Sequence, residues 1–364
     1  MAERSGVVVV GSANLDVVLG VDGVPRPGET VLARSRAEHV GGKGLNQAVA
    51  AARCGAATTF VGAVGDDAAG RRLRDALTAA GVAVRLRALE RPTGTAFVTV
   101  AGSGENVIVV DPGANAGLVD LAPVELAAVR GAGHLLCQLE VPTASVAAAA
   151  SEASAAGVVV VLNPSPVQPL PAGLLADVDV LLVNEHEAAA LAGDGAAGAD
   201  GDEADGDGTD GDGSDGDGSD GDGTDGDGAR AGGDDADVVA RARALARRLL
   251  EVVPRVVVTL GAAGALVAVR GGAEGGVHVP GLRVPVVDTT GAGDVVAGAL
   301  AAALEEARTG AEGGGAPDEE RLVAAAHLAT AAAALSVQRP GASASAPRRE
   351  EVEALLAGRP TSRP

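Results

Sequence analysis

The sequence predicts an α/β fold, with a central, mostly parallel sheet flanked by helices on both faces and a small second sheet beside it. Short runs of Val and Leu, typical of buried strands, alternate with longer Ala-rich runs typical of helices. This alternation favours parallel strands joined by helical crossovers. Polar residues directly follow several of the strand-like runs. Because parallel strands end at one edge of their sheet, these polar residues predict a ligand crevice along that edge.

The composition limits the kinds of core and pocket that the chain can form. Of its 364 residues, 47% are hydrophobic but only 1% are aromatic, and there is no Trp or Tyr. Ala, Val and Leu must therefore fill the core, and a pocket for a base such as adenine must be aliphatic. The length is sufficient for one large domain or two modest ones.

The net charge of −21 is concentrated in one segment. Residues 194–235 hold 16 acidic residues and one Arg, which leaves −6 for the rest of the chain. Nothing resembles a basic stripe, so we predict no nucleic-acid partner. Residues 1–6 are polar and lead into only four valines, too few for a secretion signal or a membrane span. We therefore expect a cytoplasmic protein without membrane contact, in which Cys54 and Cys137 are reduced thiols.

The first predicted strand, residues 7–10, is followed by Asn14 and Asp16. Side chains at this end of a strand are placed for ligand contacts in open α/β sheets, although a simple Asn/Asp turn fits equally well. Weak alternation at residues 17–21 and 29–40 predicts strands of the small sheet. A hairpin within residues 85–110 is predicted to return to that sheet, with Phe97 assigned to core packing in preference to a pocket wall.

Residues 41–46, Gly-Gly-Lys-Gly-Leu-Asn, open the first predicted helix, which runs from Asn46 to Cys54. The pattern is not a P-loop, because Gly44 follows Lys43 where that motif needs Ser or Thr. Glycines at this position allow a polyhydroxy ligand to approach the backbone closely. A plain helix cap is the alternative interpretation.

Helix and strand alternate along the remaining chain. Helices are predicted at residues 68–80, 121–130, 143–156, 241–252, 322–335 and 350–356, and strands at 58–64, 134–139, 158–162, 178–183 and 256–260. Several of these strands end in polar residues, among them Glu140, Asn163 and the pair Asn184 and Glu187. Such endings are consistent with the crevice at the sheet edge.

Residues 194–235 interrupt this alternation with repeats of Gly, Asp, Ser and Thr. Their apolar content is too low to order the segment, so we predict a disordered acidic surface insertion. The Asp-x-Asp-Gly pattern also resembles the start of an EF-hand loop. The bidentate Glu that closes such a loop is missing throughout, which argues against a calcium site.

The stretch Asp288-Thr-Thr-Gly-Ala-Gly-Asp294 organises the predicted site. It lies between a predicted strand at residues 284–287 and a predicted helix at residues 295–304. A helix N-terminus that begins with glycines offers uncovered N–H groups and the positive end of the helix dipole to an anion. An anion site beside the Asp294 carboxylate suits phosphoryl transfer onto a hydroxyl group. An ordinary turn with Asp294 as a first-turn cap is the alternative.

Taken together, these motifs resemble the ribokinase-like (pfkB) family of sugar and nucleoside kinases. The resemblance covers nearly the whole chain apart from the acidic insertion, and its two most specific stretches are residues 41–53 and 288–294. It implies a single ribokinase-like domain over residues 1–364. It also implies that strands within residues 16–40 and 90–110 form a lid over the sugar and, in many relatives, a dimer contact. We therefore expect a homodimer.

The resemblance also implies a role for each matching residue. Asp294 would be the catalytic base, with the N–H groups of Gly291, Ala292, Gly293 and Asp294 as the anion hole. The sugar hydroxyls would be held by Asn14, Asp16, Gly42, Lys43, Asn46, Glu140 and Asp294. The nucleotide would contact Asn184, Thr259, Gly261, Gly264, Gly293 and Thr330, with Glu187 near Mg²⁺. A monovalent cation, usually K⁺, would be held by the loop containing Asp288, Thr290, Ser336, Arg339, Gly341 and Ser345. Thr330 and Pro340 depart from the residues usual in the family at these two sites.

The activity implied by the resemblance is ATP-dependent phosphorylation of D-ribose at O5, with ATP, Mg²⁺ and K⁺ as cofactors. One alternative is the same chemistry on deoxyribose, a nucleoside or a phosphosugar. Another is a non-catalytic sugar-binding or calcium-responsive protein on a kinase scaffold. The presence of Asp294, Gly291 and Gly293 argues against the second alternative.

Overall fold

The computed structural model of the chain describes residues 4–103, 105–193, 234–310 and 315–358. Its larger sheet has nine strands in the order β13-β12-β11-β10-β9-β8-β1-β4-β5. These strands are β1 (Val7–Val10), β4 (Thr58–Gly65), β5 (Ala83–Leu89), β8 (His134–Cys137), β9 (Val159–Leu162), β10 (Val180–Asn184), β11 (Arg255–Thr259), β12 (Gly264–Val269) and β13 (Val277–Pro280). The pairings from β5 to β11 are parallel, and β12 and β13 add an antiparallel hairpin at one edge.

A second sheet of four strands lies beside the first, in the order β3-β2-β6-β7. Its strands are β2 (Asn14–Val21), β3 (Ser35–Gly41), β6 (Gly94–Ala101) and β7 (Asn106–Asp111). β2 follows β1 after three residues, so the carboxyl end of a central strand leads directly into the small sheet. The predicted α/β class and the small accessory sheet are both confirmed.

Helices cover both faces of the large sheet. They are α1 (Lys43–Arg53), α2 (Ala68–Ala79), α3 (Pro123–Gly131), α4 (Thr143–Ala156), α5 (Glu185–Leu191), α6 (Asp234–Leu249), α7 (Ala292–Thr309), α8 (Glu319–Ser336), α9 (Ala342–Ser345) and α10 (Arg349–Leu356). Alternate residues of β1 point to opposite faces, as the strand geometry requires. Val7 and Val9 belong to the same buried cluster as residues of α1, α7 and α8, whereas Val8 and Val10 belong to a second cluster with residues of α3, α4 and α6.

Four sequence predictions need correction. Residues 284–287 are not a strand, because Pro285 cannot donate to a ladder and both Val286 and Val287 are more than 60% exposed. The strand predicted from residue 29 begins only at Ser35. Phe97 is 46% exposed and does not belong to the core. Helix α6 begins at Asp234, inside the predicted insertion, whose residues 194–233 lie outside the described residues.

Within the described ranges, no helix is long and apolar enough to cross a membrane.

Candidate active site

Asp294 lies in the first turn of α7, where two amide side chains of α1 hold its carboxylate. Asn46 Nδ2 donates to Oδ2 and Gln47 Nε2 donates to Oδ1, both at 3.0 Å. The residue is only 7% exposed. Both carboxylate oxygens are thus directed by α1, which fixes the orientation that a general base needs.

The surroundings of Asp294 suit a proton acceptor. Burial raises the pKa of Asp294 above its usual value, whereas the Lys43 ammonium and the hydrogen bonds from Asn46 and Gln47 act in the opposite direction. A carboxylate whose pKa lies closer to neutral pH accepts a proton from a hydroxyl more readily.

The turn before α7 presents backbone donors next to this carboxylate. Gly291 has φ of 74°, and an added Cβ would lie 2.7 Å from Cβ of Ala342, so both the conformation and the space call for glycine. Ala292 N–H donates to Thr289 O at 3.2 Å and is therefore used within the turn. Within the described chain, the N–H groups of Gly291, Gly293 and Asp294 have no protein acceptor. Three of the four N–H groups predicted to form the anion hole are therefore available to a ligand, whereas that of Ala292 is used within the turn.

On the other side of Asp294, a cluster of polar groups follows β1 and β8. Glu140 Oε2 accepts from Ser12 Oγ at 2.5 Å and from Lys43 N–H at 3.0 Å. Asn14 Oδ1 accepts from Asn115 Nδ2 at 2.7 Å. The predicted sugar contacts are therefore brought together by the ends of two neighbouring strands and the start of α1.

The pKa of Asp16, a carboxyl in this cluster, is also raised. Burial, together with the negative charges of Glu140 and Asp294, raises the pKa of Asp16 to about 7. The carboxylates of Asp16, Glu140 and Asp294 lie close enough to affect one another, and the Lys43 ammonium is the positive charge that acts on Asp294. This arrangement favours a neutral ligand rich in hydroxyl donors over an anionic one.

Asn184 and Glu187 form a reciprocal cap at the start of α5. Glu187 N–H donates to Asn184 Oδ1 at 2.8 Å, and Asn184 N–H donates to Glu187 Oε2 at 2.9 Å. Both residues line a cavity of about 160 Å³ together with Lys43, Gly293 and Asp294. Their side chains thus have a structural role and also border the space next to the base.

A larger cavity, of about 470 Å³, adjoins the first and contains most of the predicted nucleotide contacts. Thr259, Gly261, Gly264, Gly293 and Thr330 all line it, whereas Asn184 does not. The other walls are mainly aliphatic, among them Leu282, Val284, Val286, Val296, Ala333 and Val337. An aliphatic slot matches the expectation for a chain almost without aromatic residues.

Asp288 links the predicted cation loop to the turn before α7. Its Oδ1 accepts from Thr290 N–H at 2.8 Å, and its Oδ2 accepts from Gly341 N–H at 2.7 Å. Burial acts to raise the pKa of Asp288, but these hydrogen bonds outweigh it and lower the pKa. Ser336 and Ser345 donate to nearby carbonyl groups, while the guanidinium of Arg339 pairs with Glu351 and so points toward α10.

The sequence reasoning assigned no role to three buried residues that organise the site. Gln47 contacts Asp294 and also accepts from Gln138 Nε2 at 2.6 Å. Asn115 donates to Ala13 O and Asn14 and accepts from Ala13 N–H. Ser12 bonds Glu140. Of these three residues, only Gln47 had a local sequence signal, because it directly follows Asn46, a predicted sugar contact, at the start of a helix.

Comparison with known proteins agrees with this geometry. Residues 4–205 and 228–349 match the family described as "pfkB family carbohydrate kinase". The chain belongs to this family. Among curated relatives, the ribokinase of Haemophilus influenzae is 33% identical over 97% of this chain and 99% of its own length. The ribokinase of Arabidopsis thaliana is 32% identical over 98% of this chain and 82% of its own.

Solved structures of ribokinases share the fold over nearly the whole chain. Ribokinase from Thermotoga maritima superposes with a TM-score of 0.76, at 31% identity, covering 98% of this chain and 100% of the other. Arabidopsis thaliana ribokinase complexed with ribose and ATP gives a TM-score of 0.75 at 30% identity, covering 97% and 99%. The chain is therefore an ATP-dependent carbohydrate kinase, as its site geometry indicates.

Proposed function

We propose that this kinase transfers the γ-phosphoryl group of ATP to the O5 hydroxyl of D-ribose. The observation that carries the proposal is the position of Asp294, held by Asn46 and Gln47 between the hydroxyl-binding cluster and the aliphatic nucleotide cavity. Full-length similarity to ribokinases, one of them solved with ribose and ATP, supports ribose as the sugar.

The chemistry follows from these positions. Asp294 takes the proton as the sugar oxygen forms its bond to the γ-phosphorus, and the bond to the bridging oxygen of ADP breaks. The N–H groups of Gly291, Gly293 and Asp294 stabilise the charge on the transferring group. Transfer is direct from ATP to the sugar, with Asp294 as the base and without a phospho-enzyme. Asp16, Asn14 and Glu140 bind the sugar hydroxyls and orient O5.

Two cations complete the proposal. Mg²⁺ would supply charge neutralisation on the phosphates, held by phosphate oxygens and water with Glu187 as the nearby carboxylate. Glu187 uses Oε2 in the cap of α5, which suits a site with few protein ligands. K⁺ would be held by the Asp288 carboxylate with carbonyl and hydroxyl oxygens of Thr290, Ser336, Arg339, Gly341 and Ser345. The bonds from Asp288 to Thr290 and Gly341 bring these two stretches together, so the donor set fits a hard monovalent ion.

The test is ATP turnover by purified protein with ribose, deoxyribose, fructose, fructose 6-phosphate and adenosine, each with K⁺ or Na⁺. We expect ribose-dependent turnover that K⁺ stimulates. Asp294→Asn should lower kcat at least about 10²-fold, the usual contribution of a general base, and leave ATP binding intact. Turnover with a phosphosugar or nucleoside alone would contradict the assigned sugar, and full activity of Asp294→Asn would contradict the assigned base.

A homodimer through the small sheet is a separate proposal. Strand β7 is exposed at every residue, and Ile108 and Val109 are 55% and 62% exposed. Phe97 lies opposite Val109 in the ladder and is also exposed. An apolar edge of this kind is usually covered in soluble proteins. Sedimentation of wild-type protein should show a dimer, and Val109→Asp should shift it to monomer; a wild-type monomer would refute the proposal.

A further inference from the structure

Arg53, the last residue of α1, binds the backbone of a segment almost 300 residues later. Its Nη1 donates to the carbonyl oxygens of Ser343, Ala344 and Ala346, at 3.0, 2.9 and 2.8 Å. These carbonyls lie in and just after α9. The last carbonyls of a helix lack partners within the helix, so a basic side chain that satisfies three of them has a strong hold on the segment.

One side of α9 borders open space, although Ser343, Ser345 and Ala346 are themselves buried. A cavity of about 500 Å³ opens beside it, lined by Arg53, Ser343, Ala344 and Arg348 among others. Arg53 forms no ion pair with any described residue, although burial and the nearby Arg348 lower its pKa. The guanidinium is therefore partly desolvated, and backbone carbonyls are its partners. Removing a charged group from water in this way costs free energy.

Helix α1 connects this contact to the catalytic base. Asn46 and Gln47, two turns before Arg53, hold Asp294. The backbones of α1 and α7 also touch at Gly298, where an added Cβ would lie 2.4 Å from Gln47 O and 2.7 Å from Ala51 N. Because the two helices are in such close contact, the distance between Arg53 and the first turn of α7 is fixed.

The α9 segment in turn contacts the phosphate-binding turn. Ala342 is the nearest neighbour to the position of an added Cβ on Gly291, at 2.7 Å, and Gly341 N–H bonds Asp288. A shift of α9 by even an ångström would disturb Gly291 and Asp288 together, and with them the anion hole.

We propose that Arg53 is a positioning residue, which fixes α9 against the first turn of α7 and so sets the affinity of the kinase for ATP and for its monovalent cation. The inference rests on the proposed function for the identity of the ligands. Arg53 touches no substrate, and its contribution is to hold the 337–346 loop in the geometry that Asp288 and Gly291 need.

Three variants separate this role from a general effect on stability. Arg53→Met keeps much of the aliphatic stem and removes the donors. Arg53→Lys restores a charged group with three donors on one nitrogen, which matches a contact made by a single atom. Arg270→Met is the matched control, since Arg270 also donates to two backbone carbonyls, of Leu250 and Val253, but lies away from the site.

The first readout is amide hydrogen exchange of residues 338–346 and 288–294, measured without substrate and without K⁺. Arg53→Met should increase exchange of both stretches about ten-fold, because the hydrogen bonds that order α9 are lost. Arg53→Lys should fall near wild type, and Arg270→Met should leave both stretches unchanged. Unchanged exchange in Arg53→Met would overturn the proposal.

The second readout is kinetic. Arg53→Met should raise the KM for ATP and the K⁺ concentration for half-maximal turnover by about five-fold or more, with the KM for sugar within two-fold of wild type. A kinetic response equal to that of Arg270→Met would overturn the proposal. Failure of the proposed function is distinguishable: a wild-type protein without ribose turnover refutes the substrate and leaves the exchange comparison intact. If K⁺ does not affect turnover by the wild-type protein, the change in the KM for ATP alone tests the role of Arg53.

Discussion

Gln47 Nε2 donates a hydrogen bond of 3.0 Å to Oδ1 of Asp294, which lies 247 residues later in the chain. The same nitrogen lies 3.2 Å from Asn163 Oδ1, and Gln47 Oε1 accepts from Gln138. The carboxylate of Asp294, the proposed base, is thus part of a buried amide network that connects α1 with the residues that follow β8 and β9. Amide groups can direct a carboxylate without neutralising it, because they carry no net charge of their own.

Removal of the Gln47 side-chain amide should shift the titration of Asp294 to higher pH and lower turnover at pH 7. The hydrogen bond from Gln47 lowers the pKa of Asp294, so Gln47→Met should raise that pKa further. The rising limb of the kcat/KM profile should then move to higher pH, with kcat at pH 7 reduced about ten-fold. A profile that keeps its position while kcat falls would show that Gln47 acts on geometry alone.

Asp16 makes the stability of the sugar-free protein depend on pH near neutrality. Its pKa is raised to about 7, so the contribution of the protonated form is present at low pH and lost as the pH rises through 7. Asp16→Asn should therefore match wild type only near pH 3.8, the ordinary pKa of Asp, and be more stable at pH 8, by about 1 kcal/mol or more.

Chemical denaturation at the two pH values measures this difference. Asp75→Asn, on the exposed surface of α2, is the control for removing one carboxylate charge outside the site. Equal stabilities of Asp16→Asn and wild type at pH 8 would contradict the assignment. The same variant should lose sugar affinity at both pH values.

Glu305 has the opposite pH dependence. Burial acts to raise its pKa, but hydrogen bonds from Arg308, His134 and Gly6 lower the pKa to about 2. Its stabilising contribution is thus complete above the ordinary Glu pKa, about 4.5, and is lost as the pH falls toward 2. Glu305→Gln should cost about 3 kcal/mol at pH 7, because it removes the charged acceptor of the hydrogen bonds from Arg308, His134 and Gly6.

The difference between Glu305→Gln and wild type should shrink steadily below pH 4.5 in equilibrium unfolding experiments. Glu353→Gln, which removes a more exposed partner of Arg349, should cost less than about 1 kcal/mol at any pH. A constant penalty for Glu305→Gln from pH 7 to pH 3 would mean that packing, not charge, determines its effect.

Deletion of residues 200–228 should leave the kinase intact. The segments on either side are packed together, since α5 contacts α6 and Arg248 donates to Ala192 O. The cost of closing a loop changes slowly with its length, so turnover should stay within a few-fold of the parent. A large loss of turnover, or Ca²⁺ dependence of the parent alone, would instead support the calcium-responsive alternative.

Local sequence patterns predicted the elements whose residues determine their own structure. The helix at Thr143–Ala156 and the strand at Val7–Val10 have the predicted bounds, because the local propensity of Ala-rich and Val-rich runs is sufficient to determine them. The turn at Gly291 was equally readable, since its glycines are needed for backbone conformation and space.

Long-range relationships could not be read from local patterns. Strands β12 and β13 went unpredicted, because five glycines between residues 264 and 276 mask the alternation and the pairing with β11 is antiparallel. The Val residues at 284–287 predicted a strand that Pro285 and solvent exposure exclude. The contacts of Gln47, Asn115 and Arg53 join residues about 100 to almost 300 positions apart, and these distances are invisible to periodicity.

The order of these elements along the chain has a consequence for biosynthesis. The hydroxyl-binding groups and the first strands are made first, but the base arrives at residue 294 and the loop held by Arg53 near residue 345. Gly6 N–H, just before β1, donates to Glu305, so this hydrogen bond cannot form until residue 305 has been made. We therefore expect a chain truncated before residue 294 to lack phosphoryl transfer even where its strands form, because it has no base.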